Sequence, residues 1–222
     1  MVSISPIRLV PNLTDQVYQR LLNAICEGEL APGARITQEE LAATLDVSRQ
    51  PVLQALRMLK KDGFVIDAGR RGLMVLPLGA QTISHIYEVR SALDGLAARQ
   101  AALSKSRIDP GVIADGRKAV KGSRIGAMID ADMRFHNLIY NASGNPLIAE
   151  SASHHWRHIR RAMGVVLQQA GVRDAVWDEH EAILKAINRG DADRAERLAR
   201  RHGEEAGQHL VQELDRHIRQ AS

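Results

Sequence analysis

The chain has 222 residues, of which 45% are apolar, and a formal net charge of +4. It is long enough to bury the cores of two modest domains and too apolar for general disorder. No apolar run approaches the roughly 18 residues needed to cross a bilayer, no basic-then-apolar leader opens the sequence, and the single cysteine, Cys26, has no internal disulfide partner. The expectation is a cytoplasmic chain in which Cys26 is a small buried hydrophobe.

Residues 13–27 place Leu13, Val17, Leu21, Ala24 and Ile25 at helical spacing, and Pro32-Gly33 ends that pattern. Thr37 with Glu40 three residues on is a capping-box pattern for a short helix ending at Leu45. Asp46 falls where the chain must turn, and Asp tolerates the left-handed conformation. Ser48 is a suitable N-cap for a third helix, with Pro51 in its first turn. That helix runs through Val52, Ala55, Leu56 and Leu59 to Asp62-Gly63. Two strand-like pieces, residues 64–67 and 73–76, flank Gly69-Arg70-Arg71-Gly72 and predict a hairpin with a basic tip. Between Arg49 and Arg71 six basic residues stand against two acids.

From about residue 80 onward only helical periodicity is visible, broken near residues 109–111, 122–123, 143–146, 171 and 190–191. The predicted fold is mainly α: an N-terminal winged helix-turn-helix over residues 1–78, then an all-α helical bundle over residues 79–222.

Three helices followed by a basic hairpin leave the start of the third helix free to enter a major groove. There the helix N-terminus at Ser48 favours a phosphate, while Arg49, Gln50 and Gln54 can reach base edges or phosphates. Arg70 and Arg71 at the wing tip suit a narrow minor groove. The stretch ICEGELAPGARI, then LAATLDVSRQPVLQALRMLKKDGFV and GRRGLMV, resembles the DNA-binding domain of GntR-family repressors. The resemblance implies that Arg35, Arg49 and the wing around Gly72 contact DNA. Leu53-Gln54 departs from the Arg-Glu pair usual in that family, so the operator sequence does not carry over.

Nine histidines are many for this length. Asp132 and His136 are one helical turn apart and share a face. His180 and His202 lie at similar distances on either side of the turn at Gly190-Asp191, which brings them level in a helical hairpin. One carboxylate and three imidazoles make a transition-metal donor set. The stretches DMRFHNLI, SGNP and EHEAILKAI resemble the FCD ligand-binding domain of the FadR subfamily, over roughly residues 80–215. The resemblance implies a helical bundle holding a divalent metal (zinc, nickel or manganese) through Asp132, His136, His180 and His202.

A metal there would anchor a small carboxylate effector, with Arg90 facing the pocket to pair with it. Asp94 replaces a Glu more usual at its position. The run from His154 to Arg161 reads equally as a pocket wall or as a solvated or dimer-facing helix, and His85, His209 and His217 read as surface or packing residues. The whole predicts a non-enzymatic regulator, most simply a repressor, acting as a homodimer on palindromic double-stranded operator DNA and away from membranes. Two other readings stay open: a metal-dependent hydrolase using Glu179 or Glu181 as base, and a DNA-binding protein with a purely structural metal.

Overall fold

The first helix begins where Asn12 accepts a hydrogen bond from the Thr14 amide at 3.1 Å. In the computed structural model, which describes residues 12–69, 72–105, 107–167 and 175–220, the chain forms two compact units, Met1–Leu78 and Gly79–Ser222.

In the first unit, α1 (Leu13–Cys26), α2 (Gln38–Thr44) and α3 (Arg49–Lys61) pack on a small antiparallel sheet of β1 (Arg35–Ile36), β2 (Val65–Asp67) and β3 (Leu73–Val75), ordered β1-β3-β2. Thr37 caps α2, accepting from the Glu40 amide at 3.2 Å while its hydroxyl donates to the Glu40 carboxylate at 2.9 Å. Asp46 takes the left-handed conformation at φ 52° that the turn between α2 and α3 requires. Ser48 stands at the N-cap of α3 in extended backbone, without a side-chain cap bond. Val52, Ala55, Leu56 and Leu59 bury one face of α3 against Val17, Leu21 and Ile25 of α1, with Phe64, Val65 and Val75 closing the core. Cys26 is buried in this core.

The sequence pattern missed β1. It has two residues, too short for alternation to register, and pairs Arg35 with Met74 and Ile36 with Leu73. Gly72 explains the closeness of this pairing: at φ 96°, a Cβ there would sit 3.0 Å from the Ile36 carbonyl oxygen.

The second unit is helical throughout its described residues: α4 (Ala80–Leu103), α5 (Gly111–Lys121), α6 (Ile125–Ala142), α7 (Pro146–Leu167), α8 (Val176–Arg189) and α9 (Ala192–Gln220). The longest shared interface joins α4 to α9. Small residues let them approach: Gly203 meets Ser91, Gly207 meets Tyr87, and Gly95 meets the Glu196 carbonyl. Gly190, left-handed at φ 76°, ends α8 and turns the chain into α9. Gly171, read as a helix break, lies outside the described residues.

Candidate functional site

Two sets of residues carry the chemistry, one in each unit. In the first, α3 presents Arg49 and Gln50 exposed and Gln54 half-buried, with Arg35 exposed on β1 and Gly72 exposed beside it. Arg49 is held loosely: its Nη1 lies 3.4 Å from Glu39 Oε1, and Gln38 Nε2 donates to the Arg49 carbonyl at 2.7 Å. Lys60 Nζ pairs with Asp67 at 2.6 Å, tying α3 to β2. Leu53, where a charged residue would be usual, is half-buried in a groove with Arg57 and Gly72. Arg70 and Arg71 lie outside the described residues.

The second set is enclosed. His136 of α6, His180 of α8 and His202 of α9 are all buried, and one ring nitrogen of each lies within 4.8 Å of the others. The Nε2 atoms of His180 and His202 are 3.1 Å apart. Metal–nitrogen bonds of about 2.0–2.1 Å in a tetrahedral or octahedral shell set ligand nitrogens about 2.9–3.4 Å apart, so this pair fits one shared cation. His136 Nε2 is buried with no hydrogen-bond partner among the described residues, which a neutral imidazole lone pair on a metal would satisfy. Burial, with the Arg90 guanidinium nearby, holds the His136 ring below its ordinary pKa and keeps it neutral. Asp132 stands slightly apart from this trio, its Oδ1 lying 3.6 Å from His180 Nε2.

Carboxylates and aromatic rings brace the histidines. Glu179 Oε2 accepts from His202 Nδ1 at 2.6 Å. Asp94 Oδ2 faces His136 Nδ1 at 3.5 Å and Arg90 Nε at 3.3 Å, while its Oδ1 accepts from the Tyr140 hydroxyl at 2.5 Å. Burial opposes ionisation of Asp94, yet the Arg90 guanidinium and the hydrogen bond from Tyr140 act the other way, and the carboxyl is held well below the usual range. His180 stacks on Phe135, ring centres 4.0 Å apart, and the Trp177 ring stands nearly perpendicular to it, centres 4.7 Å apart.

Arg90 is buried. Its guanidinium carbon lies 4.1 Å over the Trp156 ring and 5.1 Å over Tyr87, and Nη1 donates to the Tyr87 hydroxyl at 3.2 Å. Burial pushes the Tyr87 phenol up to about 12, so it stays protonated. Beside these groups is a cavity of about 80 Å³, reached by Arg90, Asp132, His202 and Tyr87 and walled mostly by apolar side chains such as Met128, Val166 and Trp177. Each water-sized occupant needs roughly 10–15 Å³, so the space suits a molecule of a few heavy atoms.

Reading the sequence alone missed several of these residues. His209, which the sequence reads as a surface or packing residue, lines the cavity, and its spacing of two helical turns from His202 is the available signal. Tyr87 stands three before Arg90, on the face of α4 that also carries Asp94, and Tyr140 stands four after His136. In the run from His154 to Arg161, Trp156 and Arg161 are buried while the others are partly or fully exposed apart from Ile159. That run is therefore neither wholly a pocket wall nor wholly a solvated face.

A winged helix-turn-helix and a helical unit that sets buried histidines and an arginine beside a mostly apolar cavity together define a DNA-binding regulator with a ligand-binding domain. Comparison with known proteins gives the family. Residues 13–75 match the "Bacterial regulatory proteins, gntR family" and residues 85–205 match the "FCD domain". The chain belongs to the gntR family of bacterial transcriptional regulators that carry an FCD domain. It is 26% identical over 207 residues to the HTH-type transcriptional regulator YdhC of Bacillus subtilis (strain 168), covering 90% of this chain and 92% of that one. It is 23% identical over 212 residues to the HTH-type transcriptional repressor RspR of Escherichia coli (strain K12), covering 94% and 91%. The solved structure of Escherichia coli McbR/YncC shares the fold, with a TM-score of 0.73 at 21% identity, over 91% of this chain and 99% of that one. The family and the relatives YdhC and RspR are transcriptional regulators, not enzymes. Among the described residues, no helix is long and apolar enough to cross a membrane.

Proposed function

We propose that this chain is a metal-dependent, carboxylate-responsive repressor of the FadR type, acting as a homodimer on a palindromic operator. The observation that carries this reading is the convergence of His136, His180 and His202 beside a small cavity that Arg90 also reaches. The three imidazoles, with Asp132 as a fourth donor, would hold zinc, nickel or manganese; when bound, the cation would offer open positions to carboxylate oxygens. Arg90, positively charged and packed against Trp156 and Tyr87, would pair with the anion, and Met128 and Val166 would cover its apolar part. In the first unit, Arg35, Ser48, Arg49, Gln50, Gln54, Arg70, Arg71 and Gly72 would form the DNA-facing set. The repressor role agrees with the function named for RspR.

Against the hydrolase reading, both of its candidate bases are engaged among the described residues: Glu179 is bonded to His202, and Glu181 pairs with Arg117 and Lys185 at 3.0 and 2.6 Å. The test is metal content by plasma mass spectrometry of the wild type and of a His180→Ala, His202→Ala variant. About one equivalent in the wild type, lost in the variant, is the expected result. A wild type that takes up no zinc, nickel or manganese on incubation would overturn the metal reading. The DNA reading would be untouched.

A further inference from the structure

We propose that Glu179 and Asp94 are the positioning carboxylates of the histidine centre, each fixing one imidazole with Nδ1 as its outward donor and Nε2 as its inward ligand. The inference rests on the reading above, in which the histidines hold a cation.

A carboxylate can only accept, so the 2.6 Å contact between Glu179 Oε2 and His202 Nδ1 puts the ring hydrogen on Nδ1. The lone pair of that ring is then on Nε2, which faces His180 Nε2 at 3.1 Å. Across the cluster the Asp94 contact is looser: its Oδ2 faces His136 Nδ1 at 3.5 Å, too long for a hydrogen bond but close enough for the carboxylate charge to favour the ring proton on Nδ1, and His136 Nε2 is buried without a partner among the described residues. Ligating histidines elsewhere depend on such an outer carboxylate for ring orientation and basicity.

The two carboxylates differ in what else they hold. Glu179 immediately precedes His180, so one turn of α8 supplies both a ligand and the group that orients the ligand from α9. Its side chain is 22% exposed, so it reaches His202 from the edge of the centre. Asp94 is buried and also contacts Arg90 and Tyr140. It therefore joins the residue reserved for the anion to a residue reserved for the cation. His180 has a different support, its ring being stacked on Phe135 and edged by Trp177.

The experiment is a cobalt(II) titration of the full-length, metal-stripped protein against a competing chelator, recording the visible absorption bands of the bound ion. The wild type, Glu179→Gln and Asp94→Asn are compared, alongside thermal melts of each without metal. Glutamine keeps the size of Glu179 but removes the charge that orients and polarises the ring. The expected result for E179Q is a dissociation constant raised on the order of tenfold to a hundredfold, with altered cobalt bands and an unchanged metal-free melt. An E179Q protein with wild-type cobalt affinity and bands would overturn the proposal and leave Glu179 as a tie between α8 and α9. If E179Q does not fold, D94N decides on cobalt affinity and bands alone, at a temperature below its melt, which the unpaired Arg90 charge lowers; wild-type affinity and bands there would overturn the proposal. A wild type that takes no cobalt overturns the metal reading itself, and this inference with it.

Discussion

Arg90 and Asp94 form a buried ion pair, with side chains 3% and 2% exposed, so their charges are costly to bury. Removing one partner of such a pair leaves the other charge uncompensated, at a typical cost of about 3–5 kcal/mol. Here Asp94 would keep the Tyr140 hydroxyl and the His136 ring, so Arg90→Gln belongs at the low end, about 3 kcal/mol in urea unfolding. Adding Asp94→Asn should recover part of that loss; a single variant costing under about 1 kcal/mol would show that Asp94 is satisfied without Arg90. Arg49 is the opposite case. Its pair with Glu39 has side chains 68% and 59% exposed, and such pairs add about 0–1 kcal/mol. Arg49→Ala should leave stability nearly unchanged while weakening operator binding by about 1–3 kcal/mol at fixed salt, if it makes a bidentate base contact. Equal affinity in that titration would remove Arg49 from the interface. The difference between these residues also explains what was legible in sequence. His136 beside Asp132, and His180 level with His202, follow from helical period and one turn. Glu179 against His202 and Trp156 over Arg90 depend on the register between helices, which no single-helix pattern encodes.

At the scale of elements, the junction of α4 with α9 decides how the site is held, because α4 brings Tyr87, Arg90 and Asp94 and α9 brings His202. Gly207 is the tightest point of that junction: a Cβ there would lie 2.6 Å from the Tyr87 Cβ and 2.7 Å from its Cγ. Gly→Ala within a helix ordinarily gains about 0.5–1 kcal/mol, but overpacking of a close contact costs about 1–3 kcal/mol. Gly207→Ala should therefore destabilise. Gly126→Ala in α6, where nothing lies within 4 Å of the new Cβ, should be neutral or slightly stabilising. Opposite signs in parallel urea titrations would establish the contact; two equal effects would mean that α4 and α9 part easily. Helix limits were readable because caps are local: Thr37 with Glu40, Ser48 with Pro51, and Gly190. The strand β1 was not, since its two residues gain their structure only from pairing with β3.

For the whole molecule, regulation requires the anion and the operator to report on each other through the chain. If a small carboxylate lowers operator affinity by some factor, the operator must lower carboxylate affinity by the same factor, because binding free energies are linked reciprocally. Couplings of this kind usually amount to about 1–3 kcal/mol, or roughly 5- to 150-fold. The measurement has two arms on the metal-loaded protein. One is operator titration with and without a saturating small carboxylate such as acetate or glycolate. The other is calorimetric titration of that carboxylate with and without saturating operator. Equal factors in both arms are expected, together with a dimer in sedimentation and a footprint of two half-sites about one helical turn apart. The His180→Ala, His202→Ala variant should still bind operator while losing both factors. A carboxylate that binds at the centre yet shifts operator affinity in neither protein would reduce the site to a structural one, since a ligand with equal affinity for two states moves no equilibrium between them.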